Sequence, residues 1–179
     1  ITDEPSIAQK DFSILRFTFD RKFAHVLKDY GFSALSLANN HSMDFGQNGY
    51  DQTTHYLEDA GIYFFGSYLN NKNISTSIRI REKNVCLVGY HDLYTHDPVS
   101  TTAEIVRIRS NCDYIVLFAH WGEEYQKIQS DRQTELAHGF VDVGADLVIG
   151  AHPHVVQPVE IYKNKAIFYS LGNFIFDQN

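Results

Sequence analysis

The stretch Ala145-Asp146-Leu147-Val148-Ile149-Gly150-Ala151-His152-Pro153-His154 decides how the rest of the chain is read. A short apolar run meets a glycine, and two histidines follow with a proline between them. Such a run predicts a buried strand whose loop begins at its C-terminal end. Pro153 fixes its own φ and biases His152 towards an extended conformation. In an extended segment, residues i and i+2 face the same side, so His152 and His154 are expected to present two imidazoles to one small volume. That arrangement favours metal coordination over a pair of solvated loop histidines.

Two other apolar runs end the same way. Ser33–Leu37 leads into Asn40 and His41, and Tyr114–Phe118 leads into His120. In open α/β sheets, ligands bind outside the carboxyl ends of the strands. If these strands are parallel neighbours, Asn40, His41, His120, His152 and His154 converge on one rim. Singly, each has a plainer reading. Asn40 suits a turn, His41 can bond Asp44 three residues on, and His120 can stack beside Trp121. Their shared position favours a site for divalent metal ions. Imidazoles with an amide oxygen suit Mn, Fe or Zn better than Mg or Ca. A centre holding two ions also needs carboxylates, and Asp92, Asp3 and Glu4 are poor candidates for that role. His91 follows the run Val85–Tyr90 but is left outside the ligand set. His25, His55 and His138 fall on helices and read as ordinary packing or surface residues.

The remaining elements follow from periodicity and punctuation. Phe12–Phe19 reads as an edge strand, and Asp20 as the cap of a helix to Tyr30 that Gly31 stops. A second helix spans Gln47–Ala60, followed by a strand at Ile62–Phe65. Ile74–Arg81 and Val85–Tyr90 form a hairpin turning at Lys83–Asn84. A short helix lies near Thr102–Arg109. Ser130 and Gln133 make a capping box for a helix to Val143. Val155–Tyr162 and Ala166–Leu171 form a second hairpin around Lys163–Lys165. Helix–strand alternation followed by hairpins predicts an α/β fold with a mixed sheet or two sheets.

The totals narrow the function classes. The chain has 179 residues, which fits one domain. A net charge of −7 argues against a nucleic-acid binder, which would show a basic face. Anionic substrates remain compatible, because bound cations reverse the local field. Cys86 lies in an apolar run and reads as a small buried hydrophobe; a disulfide with Cys112 has no support in the spacing. No apolar run approaches the ~20 residues of a membrane helix.

Four long motifs carry a family likeness. They are Ser36–Gly46 (SLANNHSMDFG), Ala119–Tyr125 (AHWGEEY), Gly144–His154 (GADLVIGAHPH) and Phe168–Gln178 (FYSLGNFIFDQ). In this order they resemble the CapA (poly-γ-glutamate capsule synthesis) family of the calcineurin-like metallophosphoesterase superfamily. The resemblance runs from Phe12 onward. It implies two packed mixed β-sheets flanked by helices, an α/β/β/α sandwich. It implies one CapA-like domain over residues 1–179, truncated at both ends and lacking the N-terminal strands. It implies two divalent ions, with Asn40, His120 and His152 holding one and His154 helping to hold the other. His41, oriented by Asp44, would face the substrate as the catalytic pair. An aspartate and a bridging acidic residue of the family pattern would lie upstream of Ile1.

The implied activity is metal-dependent hydrolysis, with an activated hydroxide attacking a phosphoester or related bond. The alternative is a non-catalytic metal- or polymer-binding component of a capsule synthesis or export complex. Expected partners are an anionic small molecule or polymer and that complex, not nucleic acid. The expected location is the cell envelope or extracytoplasmic face, with membrane contact only through an absent N-terminal anchor.

Overall fold

In the computed structural model, which describes residues 1–3 and 15–174, the periodicities resolve into four α-helices and eight strands. In chain order these are α1 (Lys22–Asp29), β1 (Ala34–Ser36), α2 (Gly46–Asp59), β2 (Tyr63–Phe65), β3 (Ser75–Ile80) and β4 (Lys83–His91). Then come α3 (Val99–Ile108), β5 (Tyr114–His120), α4 (Asp131–Asp142), β6 (Leu147–Ala151), β7 (Val159–Tyr162) and β8 (Lys165–Phe168).

The strands build two sheets. β1 and β2 pair in parallel as a two-stranded sheet. The other six run in the order β3-β4-β5-β6-β8-β7. Within it β4, β5, β6 and β8 are parallel, and the edge strands β3 and β7 return antiparallel as hairpins. Parallel strands buried on both faces read as continuous apolar runs, which is how β4, β5 and β6 were legible.

Each sheet has its own helical cover. Ile115, Leu117 and Ala119 of β5 join Val88, Tyr90 and Val148 against Ile105, Leu136, Ala137 and Phe140 of α3 and α4 in the larger core. Leu37, Ile62 and Ala24 join Tyr50 and Leu57 of α2 in a smaller core around β1 and β2. The two sheets then face one another, with Phe65 of β2 packing on Phe118 of β5 at a ring separation of 5.3 Å. The layers are therefore helix, sheet, sheet, helix, the sandwich expected from the sequence. Where the sheets meet, backbone touches backbone. A Cβ added at Gly89 of β4 would lie 2.7 Å from the Gly66 Cα, and one at Gly66 would lie 2.7 Å from the Ala38 Cβ. Only glycine permits that approach.

Several boundaries differ from expectation. Residues 12–14 lie outside the described residues, and 15–19 form no strand. The Phe17 N–H donates to the Asp44 carboxylate instead, at 2.7 Å, and Phe19 accepts from the Thr2 N–H. Asp20 stands one residue before the N-cap position, yet its carboxylate accepts the Lys22 N–H at 2.9 Å. The first hairpin turns at Arg81–Glu82, where Arg81 adopts φ +55°, so Lys83 and Asn84 belong to β4. The capping box at Ser130 and Gln133 forms as read.

The cysteines are the larger correction. Cys86 and Cys112 form a disulfide across 26 residues. Cys86 pairs with Ile115 in the β4–β5 register, three residues beyond Cys112, so the parallel crossover brings the sulfurs together. Sequence spacing alone does not reveal that register.

Asp146 anchors the start of the central strands. Its carboxylate accepts from Arg109 at 2.6 Å, from Lys165 at 2.6 Å and from the Ile115 N–H at 2.9 Å. Burial pushes the carboxyl up, but Lys165, Arg109 and the Ile115 amide outweigh it, leaving the group below the ordinary carboxylate value. Its stabilising effect is therefore complete above the unfolded carboxylate pKa of about 4 and is lost as pH falls through the lowered folded value. Asp146→Asn is expected to cost about 2 kcal/mol at neutral pH. In urea unfolding, the gap between variant and wild type should close on acidification; a gap independent of pH would contradict this.

Candidate metal centre

The site lies where β4, β5 and β6 end and where the segment after β1 crosses over them. The strand registers place His91 beside His120 and His120 beside Ala151, so three parallel strands end level. His120 is the last residue of β5. It shares its side of the sheet with Phe118, facing the small sheet, where Asn40 arrives from the turn after β1. His120 Nε2 and Asn40 Oδ1 are 2.9 Å apart. Two ligand atoms on one ion at about 2.1 Å sit roughly 3 Å apart, so this pair fits one edge of a coordination shell. The His152 ring lies 4.9 Å from that of His120, and the His154 ring 5.9 Å from that of His152.

His152 and His154 meet as expected, but not by the expected backbone. Their φ values are +98° and +60°, so neither is extended. The Tyr125 N–H donates to the Pro153 carbonyl at 2.8 Å and the Trp121 N–H to the Ala151 carbonyl at 3.2 Å. These bonds hold the loop in a left-handed path that overrides the local preference set by proline. Non-glycine residues at positive φ are costly and persist only where surroundings hold them. The His154 Nδ1–H donates to Asn173 Oδ1 at 2.7 Å, which places the ring lone pair on Nε2. An outer hydrogen bond of this kind is how metal-ligating imidazoles are oriented.

The electrostatics favour lone pairs over protons. Burial, followed by the neighbouring His152, His91, His41 and His154, pushes His120 down to about 2. Burial likewise lowers His152, against the opposing charge of Glu124. Imidazoles kept neutral at every physiological pH are ready to ligate a cation.

His41 stands on the outer side of Asn40. Its Nδ1–H donates to Asp44 at 3.0 Å, and its Nε2 accepts from the Asn40 amide at 3.2 Å. Phe17 packs edge-on against the ring at 4.5 Å. Asn39 Oδ1 accepts the His41 N–H at 2.9 Å, which shapes the turn. The six residues expected at the site, Asn40, His41, Asp44, His120, His152 and His154, thus form one continuous chain of contacts.

Two residues were passed over by sequence reasoning. His91 is fully buried, donates from Nδ1 to the Tyr68 carbonyl at 2.8 Å, and stands 5.7 Å from the His120 ring. Its Nε2 is buried without a hydrogen-bond partner among the described residues. An orphaned lone pair beside the buried His120 is what a site meant for a cation would show. Glu124 lies with His152 and His154 so that one ligand atom from each falls within 4.8 Å of the others. The donor set present therefore fits divalent metal. The weaker acidic candidates are engaged elsewhere. Asp92 is held by Arg132 at 2.6 Å and by the Tyr90 hydroxyl, and Asp3 accepts from Tyr56 at 2.7 Å. Glu4 lies outside the described residues.

A cleft of about 390 Å³ runs beside His120 between Ala38, Phe118, Ile149 and Leu171. A larger one, about 530 Å³, opens against Glu58, Tyr63 and Thr76 and touches none of the site residues. Among the described residues, no helix is long and apolar enough to cross a membrane.

Comparison with known proteins agrees with this architecture. The chain is 34% identical over 172 residues to the capsule biosynthesis protein CapA of Bacillus anthracis, covering 85% of this chain and 42% of that protein. It is 33% identical over 176 residues to the PGA biosynthesis protein CapA of Bacillus subtilis, covering 89% and 46%. The chain thus spans less than half the length of these curated relatives. Among solved structures, a hypothetical protein from Thermus thermophilus superposes with TM-score 0.62 at 17% identity, over 86% of this chain and 59% of that one. The NAD nucleotidase of Haemophilus influenzae superposes with TM-score 0.57 at 14% identity, over 85% and 36%. These likenesses carry the fold, a metallophosphoesterase-like sandwich. The model of the bacterial capsule synthesis protein PGA_cap matches residues 1–178, and with a third of its residues shared with CapA proteins the chain belongs to that family.

Proposed function

We propose that this chain carries the histidine-and-asparagine part of a two-metal hydrolytic centre in a capsule-synthesis protein of the cell envelope. The observation that supports it best is the meeting of Asn40 and His120 at 2.9 Å, eighty residues apart in sequence, beside neutral His152. Asn40, His120 and His152 would hold one divalent ion, and His154 would help hold the second. Mn, Fe or Zn suits this donor set. Such ions, when bound, polarise a substrate oxygen and bring the pKa of water to about 7.

The chain's own residues do the rest. Asp44 holds the Nδ1 proton of His41, fixing the tautomer and aiming Nε2 towards the ligands. Carrying a second proton on Nε2, as the imidazolium that Asp44 would stabilise, His41 would offset charge that builds on the substrate or hand that Nε2 proton to the leaving oxygen, reverting to the Nδ1–H imidazole. The Phe17 ring packs edge-on against His41 and limits how far the imidazole can turn. The proposed substrate is an anionic phosphoester or related bond, and the proposed partners are a capsule polymer and its synthesis complex.

His41→Ala in the full-length protein is expected to lower turnover of a generic phosphodiester about a hundredfold, the usual scale for losing one such group. Bound metal per chain, measured by elemental analysis, should be unchanged. Equal loss of both would mean that His41 is structural. Turnover of poly-γ-glutamate but not of a phosphodiester would redirect the reading to amide chemistry. A filled site with neither activity would favour a binding component.

A further inference from the structure

We infer that His91 is the outer partner of His120: its Nε2 lone pair accepts the Nδ1 proton that the His120 ring carries once His120 Nε2 ligates a divalent ion. The inference rests on the metal-centre reading above and gives His91 a positioning role within it.

The protons on the two rings lead there. Asn40 Oδ1 can only accept, so the proton in its 2.9 Å bond belongs to His120 Nε2. The other nitrogen of that ring, Nδ1, then carries a lone pair and has no hydrogen-bond partner among the described residues. In His91 the Tyr68 carbonyl accepts the Nδ1–H at 2.8 Å, so the lone pair lies on Nε2, the buried orphan. Two neighbouring imidazoles thus each hold an unused lone pair and share no proton. Ligation beside Asn40 needs the lone pair on His120 Nε2. The ring proton then sits on Nδ1, with no proton gained or lost overall, and one N–H meets one lone pair.

The backbone keeps the rings together. His91 and His120 are register partners on β4 and β5, so both side chains leave the same face of the sheet. Asn70 grips the end of β4 twice, accepting the His91 N–H at 2.8 Å and donating to its carbonyl at 2.7 Å. The Tyr68 and Tyr94 rings, 5.3 and 5.4 Å away, enclose the His91 ring. The His91 and His120 ring centres stand 5.7 Å apart. An N–H···N bond of about 2.9 Å between two imidazoles needs roughly 5.2 Å, so a shift of about 0.5 Å makes it. His91 comes from β4 and His152 from the loop after β6, on opposite sides of β5. His91 is therefore placed to support His120 from the side away from His152. Metal-ligating histidines regularly donate their second N–H to an outer acceptor of this kind.

The test is nitrogen NMR of the full-length protein with isotope-labelled histidine rings, after chelator treatment and again with zinc. Zinc is expected to convert His120 from an Nε2–H to an Nδ1–H ring, with the new proton exchanging slowly and coupled across the hydrogen bond to His91 Nε2. His91→Asn keeps a donor for Tyr68, since the asparagine amide nitrogen falls where Nδ1 stands, but removes Nε2. It is expected to weaken one zinc site about tenfold, the usual cost of losing an outer partner, with the metal-free melting temperature close to wild type. His91→Gln restores an acceptor oxygen near the Nε2 position and should bring zinc affinity back to within about threefold of wild type. Should His91→Asn be less stable, the wild-type spectrum alone decides. Zinc binding with a His120 N–H that is uncoupled to His91 and exchanges freely with water overturns the inference and leaves the metal-centre reading standing. Full zinc affinity in His91→Asn does the same. If wild type binds no zinc, both fall.

Discussion

Gly150→Ala is expected to be the most damaging single methyl in the molecule. A Cβ at that position would lie 1.9 Å from the Tyr169 carbonyl oxygen and 2.6 Å from Trp121 Nε1. Those two atoms form the buried bond that ties the segment after β5 to the end of β8. The methyl must either part β6 from β8 or displace the indole, and neither neighbour is a flexible side-chain tip. Overpacking of this kind costs about 1–3 kcal/mol, and an unsatisfied buried donor adds about 1–3 more. The expected loss is about 4 kcal/mol, read from the urea midpoint. Trp121 is the chain's one tryptophan and is fully buried, so its fluorescence reports the transition directly. Metal affinity should fall with it, since His152 begins the loop two residues on. A variant with the wild-type midpoint would show that β6 and β8 are not packed as described.

The second large effect is expected from reducing the Cys86–Cys112 disulfide. Its loop of 26 residues corresponds to about 3.5 kcal/mol in the chain-entropy account. For a chain of this size, that lowers the melting temperature by on the order of 10 °C. The bridge lies at the start of the parallel strands, whereas the histidines lie at their far ends. Reductant should therefore lower the melting temperature while leaving zinc affinity below that temperature unchanged. Loss of both together would mean that the two ends of the sheet are coupled. A disulfide in this position also agrees with folding in an oxidising compartment.

Much of this was legible in the residues. Apolar runs ending in Gly150, His120 and Asn40 announced the strands, and their shared ending announced the rim. The Ser130–Gln133 box and the Lys163–Asn164 turn were readable because local chemistry alone decides them. The unreadable parts depend on register or on long-range bonds. Cys86 meets Cys112 only because β4 and β5 pair as they do. His152 takes a left-handed path because Tyr125 and Trp121 bond the loop from outside, overriding Pro153. His91 was set aside because a lone histidine after a strand says nothing of its burial. The nearness of Glu124 to His152 and His154 was not readable because an acidic residue in a polar loop has no periodicity to mark it; its place comes from the backbone bonds that join the two loops.

The glycine contact between the sheets has one more consequence. Asn40 and His120 ride on opposite jaws, and their separation is governed by where those jaws stop closing. At Gly89 and Gly66 they stop main chain to main chain, with no compressible side chain between them. The pair is therefore gauged in advance, like a caliper locked at one opening, and a cation held there as proposed would have to suit the gap rather than reshape it. Widening the stop by a single carbon would shift Asn40 against His120 and so change the gap itself, although the altered residue touches neither of them.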